Sequence, residues 1–262
     1  MVRYDLSFAG AGRVAGALCM KMHHSGMRIL QVISETETNG KPLARDCNAE
    51  WSKLLTFHDS NDIIIVAVPD HRLKEVIKSI RCNEKTIVAH TAGSYGLEVF
   101  PDSIKRKGVF YPLQTFTRGR NIAFRDLPFL LEASDNDTGE ILRKLAESTG
   151  GKAWFVDIER RKTLHLAAVF VNNFINHMLA TGKELTSTVS LPFNMLEPLI
   201  METISKALED GPEKSQTGPA VRNDRDTIEK HMDLLSFSPE LQNVYREVTR
   251  SIIKSNNLAD ND

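Results

Sequence analysis

The sequence has few of the features that mark secreted, membrane-spanning or nucleic-acid-binding proteins. Its three cysteines, Cys19, Cys47 and Cys82, are odd in number and lack C-x-x-C spacing, so they indicate neither a disulfide framework nor a metal site. Purely apolar runs such as residues 63–68 are far too short to span a bilayer. A formal net charge of −1, without a long basic run, offers no electrostatic attraction to nucleic acid or to an anionic membrane.

What is present is an ordinary globular composition. Hydrophobic residues make up 41% of the 262 positions, enough to bury a core in one large domain or two modest ones. Asp5 is acidic, and the segment around it already has the pattern of a folded domain. We therefore expect no signal peptide and a cytoplasmic protein. His23 and His24 have no carboxylate or thiol partners at ligand spacing, and no metal site is predicted.

The most informative segment is residues 10–15, which fits the dinucleotide fingerprint G-x-G-x-x-G/A. Gly10 permits a tight turn from strand to helix, Gly12 lets a pyrophosphate approach the backbone, and Ala15 is small enough for the helix to pack on the strand. The start of the helix then offers free N–H groups to the phosphates. An ordinary structural turn is the alternative interpretation. The residues assigned to cofactor binding here are Gly10, Ala11, Gly12, Arg13 and Val14.

The residue closing the second predicted strand, residues 29–33, meets the adenosine ribose in folds of this kind. Here Ser34 is followed by Glu35, with Lys41 and Arg45 further on. A small hydroxyl and basic groups suit the 2′-phosphate of NADP, whereas a carboxylate suits the 2′-hydroxyl of NAD. We predict NADP, with Ser34 as a contact, and NAD stays open because of Glu35.

Strand-like and helix-like segments alternate from the N terminus to about residue 157. The apolar run at residues 62–68 is typical of a central parallel strand, and Val68 and Pro69 end it where a ligand crevice is expected. Both are assigned to cofactor binding. A doubly wound α/β domain over residues 1–157 is therefore predicted. Its further strands fall near 86–90, 108–111, 128–132 and 152–156, with a helix over 135–149.

Strand signals vanish after residue 157, and helical patterns continue towards the end of the chain. This change predicts a second, all-α domain over residues 158–262, with a substrate bound in the cleft between the two domains. Its helices are expected at about 158–189, 193–208, 224–235 and 239–255.

The strand end at residues 90–94 carries a histidine, two hydroxyls and a glycine. By topology it faces the cofactor crevice, so His90 and Thr91 are assigned to the cofactor and Ser94 to the substrate. A strand-to-helix turn with capping hydroxyls explains the same residues equally well. Gln114 is a further candidate substrate contact, although a turn after the strand again explains it.

A polar stripe runs along the otherwise apolar, alanine-rich segment 160–177. Arg161, His165, Asn172 and Asn176 lie at offsets of four, eleven and fifteen residues, which puts them on one face of an α-helix. Buried amides and imidazoles must be hydrogen-bonded. The stripe therefore indicates either a site or a satisfied network between helices or in a dimer interface.

A third stretch, residues 216–231, combines a Gly-Pro turn with a helix that Asp224 is expected to cap. Arg222 at the start of this helix could clamp a substrate carboxylate. An ion pair between Arg222 and Asp224 that ties down the loop is the alternative.

Together these segments resemble a family of candidate NADP-binding oxidoreductases that join a Rossmann-like N-terminal half to a helical domain of unknown function. More distantly, the arrangement is similar to pyrroline-5-carboxylate reductase, ketopantoate reductase and the hydroxyacid dehydrogenases. The matching residues span nearly the whole chain. They are 10–15, 89–94, 110–116, 164–170 with 172–174, 176 and 177, and 217–222 with 224, 227, 228 and 231.

The resemblance implies a nicotinamide at the strand ends, polar residues of the first C-terminal helices in the active site, and a homodimer built through the helical domain. Many members place an Arg directly after the Ser that ends the second strand, where this chain has Glu35. The resemblance maps Gly10, Gly12, Arg13 and Ser34 to cofactor binding, and His90, Lys162, His165, Asn172 and Arg222 to the cleft.

The sequence thus predicts a dehydrogenase or reductase that uses NADP and a small carbonyl, imine or hydroxyacid substrate. Lys162 or His165 would handle the proton, and Asn172 would orient the substrate. Asn176 and Arg222 are the further candidate substrate contacts. The alternative is a non-catalytic protein that senses NADP or another nucleotide through its dimer, and the lack of a decisive acid–base pair favours it.

Overall fold

The computed structural model describes residues 3–259, and the chain forms two compact units. The first unit ends at Met178 and the second begins at Leu179. The predicted boundary after residue 157 marks the point where strands give way to helices. The boundary between the compact units comes about twenty residues later, inside the helix Ile175–Thr188. The first helical turns after the sheet therefore belong to the first unit.

The first unit is built on an eight-stranded sheet with the order β3-β2-β1-β4-β5-β6-β7-β8. Neighbouring strands pair in parallel except β6 and β7, which are antiparallel. The strands are β1 (Asp5–Ala9), β2 (Arg28–Ile33), β3 (Glu50–Ser52), β4 (Ile63–Val66), β5 (Ile87–His90), β6 (Arg106–Pro112), β7 (Pro128–Ala133) and β8 (Lys152–Phe155).

The central strand β4 shows why its sequence is a continuous apolar run. Ile63 and Ile65 belong to the core on one face of the sheet, and Ile64 and Val66 to the core on the other. A parallel strand covered by helices on both faces has no solvent side, so the sequence has no alternation. The strand order reverses between β1 and β4, and such a switch point opens a crevice at the carboxyl ends of the strands.

Four α-helices connect these strands: α1 (Arg13–His24), α2 (Glu37–Asp46), α3 (Asp70–Ser79) and α4 (Asn136–Ser148). The Asp135 carboxylate accepts the N–H of Thr138 and so caps α4, which confirms the predicted helix there. Helix α2 and the short strand β3 were not predicted. Gly40 and Pro42 lie within α2, and both residue types disfavour a helix interior.

The long helix predicted over residues 158–189 is interrupted. Helix α5 (Ile158–Ala168) passes into a π-helical stretch, Val169–Phe174, and then into α6 (Ile175–Thr188). A π-helical turn is wider than an α-helical turn, so side chains beyond it rotate relative to an uninterrupted α-helix. The offsets that placed four polar residues on one face therefore hold only up to residue 168.

Within residues 179–259, the second unit contains helices joined by turns and no strand. After α6 come a 3-10 turn, Phe193–Leu196, and helices α7 (Glu197–Asp210), α8 (Pro212–Ser215), α9 (Arg225–Leu234) and α10 (Pro239–Ala259). Asp224 caps α9 through the N–H of Thr227 at 3.1 Å, as predicted.

The predicted fold class, a doubly wound α/β domain followed by a helical region, is thereby confirmed. Among the described residues, no helix is both long and apolar enough to cross a membrane.

Candidate active site

The glycine loop after β1 has the backbone that its sequence predicts. Gly10 has φ +114°, and a Cβ there would lie 2.2 Å from the carbonyl oxygen of Ala67, so only glycine fits this turn. A Cβ on Gly12, in contrast, would meet no described atom within 4 Å. Gly12 begins α1 without a side-chain cap from the described residues, which leaves the first N–H groups of the helix open to an anion.

A cleft of about 730 Å³ lies within the first unit, at the carboxyl ends of β4, β5 and β6. The glycine loop bounds one side of the cleft, and α5 with the π-helical stretch bounds another. This volume falls in the range typical of small-molecule and cofactor sites. The predicted site residues that line it are Gly12, Arg13, Val14, Val68, Pro69, Thr91, Gln114, His165 and Asn172.

The remaining predicted residues lie outside this lining. Gly10 and Ala11 form the turn that leads from β1 to Gly12. Four others, Ser34, His90, Ser94 and Lys162, are also absent from the lining. Asn176 is exposed in the first turns of α6, and Arg222 is exposed in the second unit. The roles predicted for Asn176 and Arg222 therefore stay predictions.

His90, at the end of β5, is bonded within the fold through both of its ring nitrogens. Its Nδ1 accepts the N–H of Ala92, and its Nε2 lies 3.2 Å from the carbonyl oxygen of Gly96. The ring is fully buried and stacks on Phe100. Burial lowers the pKa of His90 to about 4, so the ring is neutral at physiological pH. Both nitrogens hold the loop after β5, and the cofactor contact predicted for His90 stays a prediction.

Ser34 is also engaged within the fold. Its hydroxyl donates to the carbonyl oxygen of Thr36 at 3.0 Å and accepts the indole N–H of Trp51 at 3.1 Å. A hydroxyl has one proton to donate, so Ser34 has no second donor for a phosphate in this arrangement. Its role at the ribose is still a prediction.

The polar stripe on α5 divides into a structural end and a cleft end. Arg161 is fully buried and donates to Glu132 on β7 at 2.8 Å and to the carbonyl oxygen of Tyr95 at 2.7 Å. Lys162 is exposed and pairs with Glu159 at 3.0 Å. One turn after Arg161, His165 lines the cleft. Of the two predicted proton-handling residues, His165 is thus the one in the cleft lining.

His165 shares a hydrogen bond with Tyr111 at the end of β6. The phenol oxygen lies 2.9 Å from Nδ1 of His165, and both residues line the cleft. Gly93 leaves the space for this contact, since a Cβ there would lie 3.1 Å from both Nδ1 of His165 and Cζ of Tyr111. Burial, with a smaller contribution from the charge of Asp70, raises the pKa of Tyr111. The phenol is therefore a proton donor at neutral pH.

Tyr111 and Asp70 are cleft residues that the sequence reasoning missed. Asp70 follows Pro69 and accepts the hydroxyl of Ser94. Ser94 does not belong to the cleft lining, and the substrate contact predicted for it stays a prediction. The position of Tyr111 in its strand could have indicated its place. Tyr111 lies near the end of β6, which runs parallel to β5, so it reaches the same edge of the sheet as Thr91.

The π-helical stretch brings two amides to the cleft. Asn172 and Asn173 both line it, and Nδ2 of Asn172 lies 3.4 Å from Oδ1 of Asn173. Asn172 thus lies in the cleft lining, and the role in orienting the substrate that the sequence predicts for it stays a prediction. Asn173 joins the lining because the wider π-turn changes the rotation of the residues that follow.

The sheet order, the glycine loop and the cleft at the switch point together define a dinucleotide-binding α/β fold. Residues 1–115 match the family described as a Rossmann-like domain, and residues 127–252 match the domain of unknown function DUF2520. No curated protein matches the chain in sequence.

The chain is 37% identical to a candidate NADP oxidoreductase from Bacteroides fragilis of known crystal structure. The match covers 96% of this chain and 98% of that one, with a TM-score of 0.88. The chain therefore belongs to the family that joins a Rossmann-like domain to DUF2520.

More distant solved structures share the fold. Imine reductase from a Pseudomonas species is 13% identical over 99% of this chain and 94% of its own, with a TM-score of 0.66. Pyrroline-5-carboxylate reductase from Streptococcus pyogenes is 11% identical over 96% of this chain and 99% of its own, with a TM-score of 0.61.

Proposed function

We propose that the protein is an NADP(H)-dependent oxidoreductase acting on a small carbonyl, imine or hydroxyacid. The observation that carries this proposal is the cleft itself: a glycine loop bounds it on one side, and a hydrogen-bonded Tyr111–His165 pair lines it on another. Its relative from Bacteroides fragilis, a candidate NADP oxidoreductase, and the imine and pyrroline-5-carboxylate reductases of the same fold support the choice.

The residues present fit a dinucleotide. The open space at Gly12 and the uncapped start of α1 suit a pyrophosphate, because backbone N–H groups there face it without a side chain between. Arg13 and Val14 continue this side of the cleft, and Val68 and Pro69 lie at the end of β4. Bound NADPH would supply a hydride to the substrate, and NADP+ would accept one in reverse.

The proton that accompanies the hydride is assigned to Tyr111 and His165. With the imidazole in its Nδ1–H form, the Tyr111 O–H donates to the reduced oxygen or nitrogen of the substrate. His165 passes its Nδ1 proton to the phenol oxygen as Nε2 takes a proton from solvent, so the ring stays neutral. The imidazole is exposed and so regains its own proton from solvent. Asn172, at the same cleft, orients the substrate through its amide.

The test is turnover of NADPH by the full chain with a panel of ketoacids, aldehydes and cyclic imines. We expect at least one member to be reduced, and His165→Gln to lower that rate strongly without unfolding the protein. Binding of NADPH without any turnover would instead favour the nucleotide sensor. Lys162→Gln is measured alongside, and a loss there with none in His165→Gln would reverse the assignment.

A homodimer through the helical region, residues 158–262, is part of the proposal. On α5 and the π-helical stretch, Leu166, Phe170 and Val171 are 57%, 57% and 68% exposed, and several large apolar side chains exposed on one segment commonly mark an interface. Light scattering would measure the mass in solution. A monomer at micromolar concentration would contradict the dimer.

A further inference from the structure

A guanidinium lies beside the strand end that a ribose is expected to approach. Glu35 follows β2 by two residues, and Arg72 lies in the first turn of α3, which follows β4. Arg72 donates from Nη1 to Oε2 of Glu35 at 3.3 Å and from Nη2 to Oε1. Because β2 and β4 lie on either side of β1, this ion pair bridges the two loops that flank the glycine turn.

Arg72 is positioned independently of Glu35. Its Nε donates to Glu75 at 3.1 Å, and its backbone N–H donates to the carbonyl oxygen of Pro69 at 2.8 Å. Pro69 lines the cleft. With Nε anchored, the two Nη groups form a fork, and the oxygens of a phosphate satisfy the same fork geometry as those of a carboxylate.

The other basic groups predicted for the ribose site are paired elsewhere. Lys41 pairs with Glu37, four residues earlier on α2, and Arg45 pairs with the neighbouring Asp46. The one hydroxyl proton of Ser34 goes to a backbone carbonyl. Arg72 differs from these groups because both of its Nη groups contact Glu35, the second residue after β2.

We propose that Arg72 selects NADP by binding its 2′-phosphate, and that Glu35 occupies the same fork until the phosphate displaces it. The proposal rests on the proposed function. Glu35 and Arg72 have exposed side-chain fractions of 75% and 34%, and an ion pair this exposed contributes little to stability. The exchange therefore costs little. It also explains how a carboxylate can follow β2 without repelling a 2′-phosphate.

The test compares nucleotide affinities of the full chain and two variants of the pair. Quenching of tryptophan fluorescence would be followed on titration with NADPH, NADH and adenosine 2′,5′-bisphosphate. We expect Arg72→Gln to weaken NADPH and the bisphosphate about ten- to a hundredfold, as for a lost charge-assisted bond, and to leave NADH unchanged. Glu35→Gln should tighten NADPH severalfold, because the fork no longer has a competitor.

Arg143→Gln on α4 is the matched control, because Arg143 also pairs with two carboxylates, Glu140 and Glu147, at a similar exposure of 37%. Its loss should change no affinity. Equal effects of Arg72→Gln on NADPH and NADH, or none on either, would overturn the proposal while leaving the proposed function intact. Weaker NADPH binding in Glu35→Gln would also overturn it. If the wild-type chain bound neither dinucleotide, the proposed function itself would fail, and this inference with it.

Discussion

The phenol oxygen of Tyr111 lies 2.9 Å from Nδ1 of His165, although 54 positions separate the two residues in sequence. The bond joins the carboxyl end of β6 to α5 inside the cleft, and the two rings meet edge to face with centroids 5.9 Å apart. Burial keeps the phenol of Tyr111 protonated, and the imidazole of His165 is open to solvent. Together they are the acid–base pair that we propose, and helical spacing and motifs did not predict it.

Removing the Tyr111 hydroxyl should therefore abolish most turnover while sparing the cofactor. We expect Tyr111→Phe to lower kcat by about 10²-fold or more, the usual contribution of a positioned proton donor, with NADPH affinity unchanged. Tyr95→Phe is the control, because Tyr95 does not belong to the cleft lining and its ring instead takes the ammonium of Lys74. Full activity in Tyr111→Phe would remove Tyr111 from the mechanism.

The two glycines of the loop should respond differently to a methyl group. Gly10→Ala should lower the free energy of unfolding by about 2 kcal/mol or more, because its φ is positive and its Cβ would strike Ala67. Gly12→Ala should leave stability nearly unchanged, since its Cβ meets no described atom within 4 Å, and should weaken NADPH binding at least about tenfold. Urea unfolding and NADPH titration of both variants separate the two effects.

If Gly12→Ala bound NADPH as well as the wild type, the pyrophosphate would not lie against the start of α1.

Two adjacent arginines provide a paired test of how α5 is attached to the sheet. Arg161 is fully buried on Glu132, whereas the neighbouring Arg160 is 75% exposed and lies 3.5 Å from Asp157. Arg161→Ala should cost about 3 kcal/mol, because it removes a fully buried side chain and leaves the half-buried Glu132 carboxylate and the carbonyl oxygen of Tyr95 without their donor. Arg160→Ala should cost almost nothing. The check is urea unfolding at neutral pH, where similar values for both variants would refute the assignment.

Buried His90 should make stability fall in mild acid. Its pKa in the folded protein is about 4 because of burial, below the value of about 6.5 in an unfolded chain. Between these values the unfolded state binds the proton and the folded state does not, so stability decreases as pH falls. From pH 7 to pH 5 this amounts to about 2 kcal/mol.

His90→Gln should reduce that pH-dependent loss. His24→Gln, a change at an exposed position, is the control for removal of an imidazole that is not buried. Unfolding curves at the two pH values measure both. An identical pH dependence in wild type and His90→Gln would contradict the buried, neutral ring.

The sequence predicted the parts of the molecule that local signals determine. The glycine loop, the apolar strand β4 and the cap at Asp224 each depend on residue types within a few positions. The alternation of strands and helices predicted which edge of the sheet carries the cleft. His165 followed from helical spacing, whereas Asn172 lies in the π-helical stretch Val169–Phe174, which was not predicted.

The rest depends on contacts between distant segments. Tyr111 meets His165 only because β6 pairs in register with β5 and α5 packs beyond it, and Arg72 meets Glu35 across 37 positions. His90 has the residue type and the strand position of an active-site group, yet both of its nitrogens are bonded to its own loop. Residue type and spacing do not distinguish these outcomes.

The most direct test of the central claim is a crystal structure of the full chain with NADP+. The account predicts the pyrophosphate within hydrogen-bond distance of the backbone N–H groups after Gly12, and the nicotinamide in the cleft beside Tyr111 and His165. A dinucleotide bound elsewhere, or one whose nicotinamide lies outside this cleft, would contradict it.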